Sequence, residues 1–422
     1  MAVSPARGMR DFPPRDKERR DGVMSTIRAT YLRHGFEEIE TPAIEDQSTL
    51  FSGLGGDNEK LSFQILKRGL EATDLADVSH PRELSDLGLR FDLTVPLARF
   101  YATHHQDVPP VFRAFHQGPV WRAERPQKGR YRQFIQCDID ILGEESTLAE
   151  AEVLLATDEA LRELGVTGYS FRINDRRLLH ELLESVGIPA DSAAHALISI
   201  DKLDKIGPDG VLAELKERMP AGLDLSALAP VLASTSHPFD AGLMASLMGN
   251  TERAKAIAGE LSSWVSDVLS VKPDLPLVFD PTLVRGMGYY TGSIVEISHP
   301  ELGISLGGGG RYDGMIGRFL GSNVPAFGVS LGFERLMDVL PSAPITHPNK
   351  VALVSGSEVP STRVLAIKTS LVASGHTVRI VKSAKNMRSV YERLVTDGFS
   401  RVAEVTPDTS DASALSWRDL SG

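Results

Sequence analysis

Residues 111–143 read VFRAFHQGPVWRAERPQKGRYRQFIQCDIDILG, and their pattern decides the fold. The second half alternates with period two. Phe134, Gln136, Asp138 and Asp140 fall on one face, and Ile135, Cys137, Ile139 and Ile141 on the other. That spacing predicts a strand with one face on a core. The first half alternates too, with Val120, Arg122 and Glu124 opposite Trp121 and Ala123. The two halves form a long β-hairpin. Its polar face carries an amide and two carboxylates on successive same-side positions, where a solvated face would be the commoner explanation. The connection, residues 125–130 (RPQKGR), is cationic and too long for a two-residue turn, as if built to reach an anion.

An Arg-x-Glu arm, a basic loop and then GRYRQF resembles motif 2 of class II aminoacyl-tRNA synthetases. The form RPQKGRYRQF at 125–134 is similar to that of the histidyl-tRNA synthetase family. Further segments carry the same resemblance. A long helix expected over about 16–34, with Asp16 as its cap, and a strand over 36–42 ending at Pro42 resemble motif 1, which in the family builds a homodimer interface. Residues 87–99 (LGLRFDLTVPLAR) are similar to the segment that meets the substrate's amino group. Here the spacing predicts a strand end over 89–92 and a helix capped by Thr94. Residues 281–297 are expected to form a strand, a glycine-rich bend and another strand. They resemble the first histidine motif, with Gly288 where the family usually has Asp. Residues 306–314 (LGGGGRYDG) resemble the second; consecutive glycines let backbone approach a ligand closely. Residues 325–336 (PAFGVSLGFERL) resemble motif 3.

The chain has 422 residues, 42% hydrophobic and 24% charged, which fits two or three soluble domains with sizeable cores. A net charge of −11 excludes a global basic surface for nucleic acid, so any RNA contact must be local. The single cysteine, Cys137, excludes a disulfide framework and a cysteine-built zinc site. No apolar leader or membrane-length run is present, which predicts a cytoplasmic enzyme with neither membrane nor DNA as a partner.

The expected fold class is α+β, a class II catalytic domain built on an antiparallel sheet flanked by helices. The catalytic domain is expected over 1–186 and 271–340, with a helical insertion at 187–270. A Pro-rich linker at 341–348 then leads to a small α/β domain at 349–422. That unit resembles the family's anticodon-binding domain, shortened at its end.

Activation joins two anions, a carboxylate and a phosphate, so the chemistry calls for fixed arginines. By resemblance, Arg285 and Arg122 are catalytic, and Arg122, Glu124, Arg130 and Arg335 bind ATP. Asp92, Thr94 and Gln136 take the α-ammonium of histidine. Asp140 and Tyr290 take its imidazole, with Tyr289 and Tyr312 lining the wall; the family usually has Glu at the Asp140 position. Arg125, Gln127 and Lys128 meet the tRNA acceptor end. The expected cofactors are ATP and Mg²⁺. The expected partners are histidine, histidine tRNA and a second copy of the chain. Two alternatives share this fold: a non-catalytic histidine-sensing regulatory subunit of ATP phosphoribosyltransferase, and an adenylating paralogue with a non-tRNA acceptor.

Overall fold

The computed structural model describes residues 3–420 except 53–60, 72–73, 75–77, 128, 221, 285–287, 302, 304 and 342–346. Arg285, Lys128 and most of the Pro-rich linker lie outside the described residues. The chain forms two compact units. One comprises the segment ending at Asp11 together with Arg20–Leu340; the other comprises Phe12–Arg19 and the chain from Pro341 onward.

The first unit is organised by an eight-stranded sheet. Its strands are β1 (Glu37–Ile39), β5 (Phe112–Trp121), β6 (Gln133–Leu142), β7 (Ser170–Asp175), β8 (Leu277–Phe279), β9 (Ser293–Ser298), β10 (Gly307–Arg311) and β11 (Ala326–Gly332). Their order is β1-β5-β6-β11-β10-β9-β7-β8. All pairings are antiparallel except β1 with β5 and β7 with β8 at the two edges. Three short strands, β2 (Ile44–Asp46), β3 (Gln64–Leu66) and β4 (Ser85–Leu89), form a separate sheet.

The β5–β6 pair is the hairpin read from the sequence, in register from Phe112 opposite Leu142 to Trp121 opposite Gln133. Its alternation survives in three dimensions. Cys137, Ile139 and Ile141 are fully buried in a core with Ile27, Tyr31 and Phe115. The Tyr31 ring meets Phe115 edge-on, with centroids 5.4 Å apart. Cys137 lies 3.6 Å from the Met24 sulfur, so it is a packed core thiol. The helix Pro14–Arg33 supplies that side of the core; it begins two residues before the expected start, which places Asp16 in its first turn. A second helix on this face, Leu148–Glu163, buries Ala149, Val153, Leu154, Ala156 and Leu161, and the helix Phe333–Val339 adds Phe333 and Leu336 to the same core.

Other expectations are corrected. The outgoing arm stops at Trp121, so Arg122 and Glu124 lie beyond the strand. Thr94 is the first helical residue rather than the cap. Asp92, two residues earlier, accepts the Val95 backbone N–H at 3.2 Å and does the capping. Within 281–297 the described residues hold one strand, β9. The glycine run 307–310 is itself strand β10, hydrogen-bonded on both sides. Between β7 and β8 the chain is helical: Arg176–Ser185, Ala190–Ile200, Leu203–Arg218, Leu228–Leu232, Ala241–Leu247 and Glu252–Val271. Asp175 caps the first of these through the Arg177 N–H.

In the second unit a sheet runs β13 (Thr377–Lys382), β12 (His347–Ser355), β14 (Phe399–Val405), β15 (Trp417–Asp419). The first three are parallel and β15 is antiparallel. Alternate residues of β12 feed two cores. Leu353 packs with Val364, Ile367 and Leu371, while Ala352 and Val354 pack with Leu394 and Phe399.

Candidate active site

The polar face of β6 opens into a cavity of about 840 Å³ in the first unit. The register across the sheet explains its floor. His116, Asp138, Ser330, Gly308, Glu296 and Arg172 face one another in a continuous row from β5 to β7. A neighbouring row runs Asp140, Gly328, Gly310, Ile294. Glycine is required there. A Cβ on Gly328 would lie 1.7 Å from Asp140 Oδ1, and one on Gly310 would lie 2.7 Å from the Ser293 carbonyl oxygen and 2.9 Å from Tyr290 Cδ1. The glycines therefore leave space above the floor for a ligand and below Asp140 for its carboxylate.

Asp92, Gln136, Asp138 and Asp140 all line the cavity and are all buried. The Gln136 amide donates to Ser330 Oγ at 2.8 Å. Among the described residues nothing donates a hydrogen bond to Asp92 Oδ2, Gln136 Oε1 or Asp138 Oδ1. Buried acceptors without partners are rare, and three in one cavity mark a place for a donor-rich ligand. Burial pushes the Asp92 carboxyl up to about 6, restrained by the Val95 N–H and by Arg122. Burial pushes Asp140 up to about 7 against the Tyr312 hydrogen bond, with Asp92 adding to the rise. Asp138 is raised well above its ordinary value, again by burial and by Asp140. His116 behind it is lowered to about 3 by burial and the Arg90 charge, so its ring is neutral.

An aromatic wall closes the Asp140 side. The Tyr289 ring centroid stands 4.8 Å from that of Tyr290 and 6.1 Å from that of Tyr312, in edge-to-face contacts at 61° and 72°. Tyr312 donates its hydroxyl to Asp140 at 2.6 Å. Arg311, next in sequence, turns the other way and donates to buried Glu150, tying the strand to the helix behind it.

The cationic end is built from two elements. Arg122 donates Nε to the Phe91 carbonyl at 2.9 Å, and its guanidinium lies 5.1 Å from the Phe134 ring. Glu124 and Arg130 face each other at 3.5 Å. Arg335 leaves the start of the helix Phe333–Val339 and donates to the Ser305 carbonyl at 2.6 Å. Glu334 beside it is held by Arg20 through two hydrogen bonds, 2.6 and 2.7 Å, and by Arg10. Planar guanidinium groups on two walls of one cavity suit a polyphosphate. Among the described residues no group of three or more His, Cys, Asp or Glu side chains is arranged to hold a metal ion.

The structure thus brings together Asp92, Thr94, Arg122, Glu124, Arg130, Gln136, Asp140, Tyr289, Tyr290, Tyr312 and Arg335 around one cavity. Arg125 and Gln127 sit at the hairpin connection, where Gln127 and Arg130 form an isolated bridge. Sequence reasoning placed Asp138 on the correct face but gave it no role. It missed Tyr131, Ser305, Ser330 and Glu334, which also line the cavity. The position of Asp138 between Gln136 and Asp140 was the available signal. No helix is long and apolar enough to cross a membrane among the described residues.

A sequence model described as "Histidyl-tRNA synthetase" matches residues 8–336. A histidine–tRNA ligase of Leifsonia xyli subsp. xyli is 50% identical over 426 residues, covering 99% of this chain and 98% of the relative. A probable histidine–tRNA ligase of Tropheryma whipplei (strain Twist) is 41% identical, covering 96% of each. In fold, the chain resembles histidyl-tRNA synthetase from Nostoc sp. PCC 7120, with a TM-score of 0.77, 24% identity, and coverage of 100% of this chain and 95% of the other.

Proposed function

The chain belongs to the histidyl-tRNA synthetase family and is a histidine–tRNA ligase, and from that premise we propose which residues carry each part of the reaction. The observation that carries the assignment is the set of three buried acceptor oxygens, on Asp92, Gln136 and Asp138, that accept no hydrogen bond from the described residues. An α-ammonium offers three donors. Asp92 and Gln136 take it, with Thr94 beside them. The imidazole lies toward Asp140 and Tyr290, where a carboxylate and a hydroxyl serve its two nitrogens. Tyr289 and Tyr312 form the wall.

ATP lies along the arginines. Arg122 orients the α-phosphate and the substrate carboxylate, Arg130 and Arg335 hold the outer phosphates, and Glu124 faces the adenine amino group. A carboxylate oxygen of histidine attacks the α-phosphorus, the bond to the bridging β-oxygen breaks, and pyrophosphate leaves with its electron pair. Arg285 offsets charge at the α-phosphate. Mg²⁺ prefers one or two carboxylates plus substrate phosphates, so we infer that it arrives with ATP. A terminal ribose hydroxyl of histidine tRNA then attacks the carbonyl carbon and AMP departs. Arg125, Gln127 and Lys128 position the acceptor stem. A homodimer through the helix Pro14–Arg33 and edge strand β1 belongs to the same reading.

Purified chain, incubated with ATP, labelled histidine and a histidine tRNA transcript, tests the reading. Charging supports it. Exchange without charging would favour the paralogue with another acceptor, and absence of histidine-dependent pyrophosphate exchange would favour the regulatory subunit.

A further inference from the structure

Arg10 lies far in sequence from the residues that line the cavity, yet its side chain touches two of them. Its guanidinium sits 3.4 Å from the centre of the Tyr131 ring and 2.5 Å from the Glu334 carboxylate. Tyr131 comes from the hairpin connection, immediately after Arg130, and Glu334 immediately precedes Arg335. Both line the cavity.

The segment carrying Arg10 is fastened to the hairpin. The Arg132 N–H donates to the Gly8 carbonyl at 2.8 Å, and Arg132 Nε donates to the Glu124 carbonyl at 3.0 Å. Gly8 has φ +83°, and a Cβ there would lie 2.9 Å from Arg132 Cγ and 3.1 Å from Pro126 Cγ. Only glycine fits that approach. On the opposite side Arg20 grips the same Glu334 with a bidentate pair.

We propose that Arg10 is a positioning residue for the nucleotide step, fixing the hairpin wall that carries Arg130 relative to the helix start that carries Arg335. The proposal rests on the assignment of ATP to that end of the cavity. A guanidinium can stack its face on an aromatic ring while its edge donates to a carboxylate; an ammonium is a point charge and cannot do both in one geometry. Arg10 therefore sets a spacing as well as a charge. It also leaves Glu334 matched by two guanidinium groups, so that its carboxylate does not oppose incoming phosphates.

The test uses Arg10→Ala and Arg10→Lys in the full chain, with KM for ATP and for histidine measured by pyrophosphate exchange. Both variants should raise the KM for ATP by roughly 10- to 100-fold, the scale of a small misplacement of binding groups. The KM for histidine should stay near its wild-type value, and lysine should not rescue. Wild-type behaviour of Arg10→Lys, or an equal rise in both KM values, would overturn the proposal. Should the unaltered chain show no exchange, the functional reading fails separately. The rise in Tm on adding ATP then decides: a rise in wild type that both variants lose supports the role of Arg10, and an equal rise in all three, or none in wild type, removes it.

Discussion

The Tyr312 hydroxyl donates to Asp140 at 2.6 Å, directly opposite Gly328, whose missing side chain makes room for that carboxylate. Strand β11 thus lends space, and the residue after β10 lends the hydrogen bond, to one carboxylate on β6.

Gly328→Ala should disturb this arrangement first. Its Cβ would meet Asp140 Oδ1 and approach the Ile139 carbonyl oxygen at 3.1 Å. Overpacking of this kind costs about 1–3 kcal/mol of stability. The KM for histidine should rise strongly in pyrophosphate exchange, while ATP-induced thermal stabilisation persists. An unchanged KM for histidine would separate Asp140 from substrate binding.

The pH profile follows from the same burial. Folded Asp92 and Asp140 titrate near 6 and 7, above the ordinary carboxyl value of 3.8. The free folded chain therefore holds more protons than the unfolded chain within that window. These two groups make stability fall as pH rises through it. Binding behaves oppositely, because the ammonium at Asp92 and the imidazole N–H at Asp140 both favour ionised carboxylates. The kcat/KM for histidine should climb between about pH 6 and 7.5, and Asp140→Asn should remove the upper part of the climb. A flat wild-type profile would contradict the assignment.

Arg20 and Glu334 are both nearly inaccessible, with side chains 7% and 6% exposed. Arg20→Ala leaves a buried carboxylate with one partner fewer. Removing one member of a buried pair costs about 3–5 kcal/mol, to be read from the urea midpoint. A loss well under this would show that Arg10 alone satisfies Glu334.

The strand that carries the acidic floor is legible in the sequence through periodicity, while the roles of the residues around it are what the family resemblance implies. The alternation of Gln136, Asp138 and Asp140 with Cys137, Ile139 and Ile141 survives because each face of a strand meets one environment. The glycine run has no side chains to show a period, so nothing in the sequence marks it as strand β10. Arg10 and Glu334 stand 324 residues apart, and no local pattern announces such a pair. Thr94 matched the cap preference, but Asp92 reached the free N–H first. The polar identity of Asp138 could be read; its place between His116 and Ser330 required the register of three strands.

On the proposed reading, the hairpin connection serves transfer to tRNA and not activation. Gln127→Ala combined with Lys128→Ala should leave histidine-dependent exchange nearly intact and lower tRNA charging, with wild-type charging weakening as salt rises. Parallel loss of both activities would place the connection on ATP instead. No loss of either would make it a solvated loop.

The central claim is that one cavity holds histidine by its two ends, with Asp92 at the ammonium and Asp140 at the imidazole. Histidine-dependent pyrophosphate exchange in Asp92→Asn and Asp140→Asn, at saturating ATP, tests it most directly. Each substitution removes one charged partner and should raise the KM for histidine on the order of 10²-fold with the KM for ATP unchanged. Wild-type KM values for histidine in both variants would contradict the account.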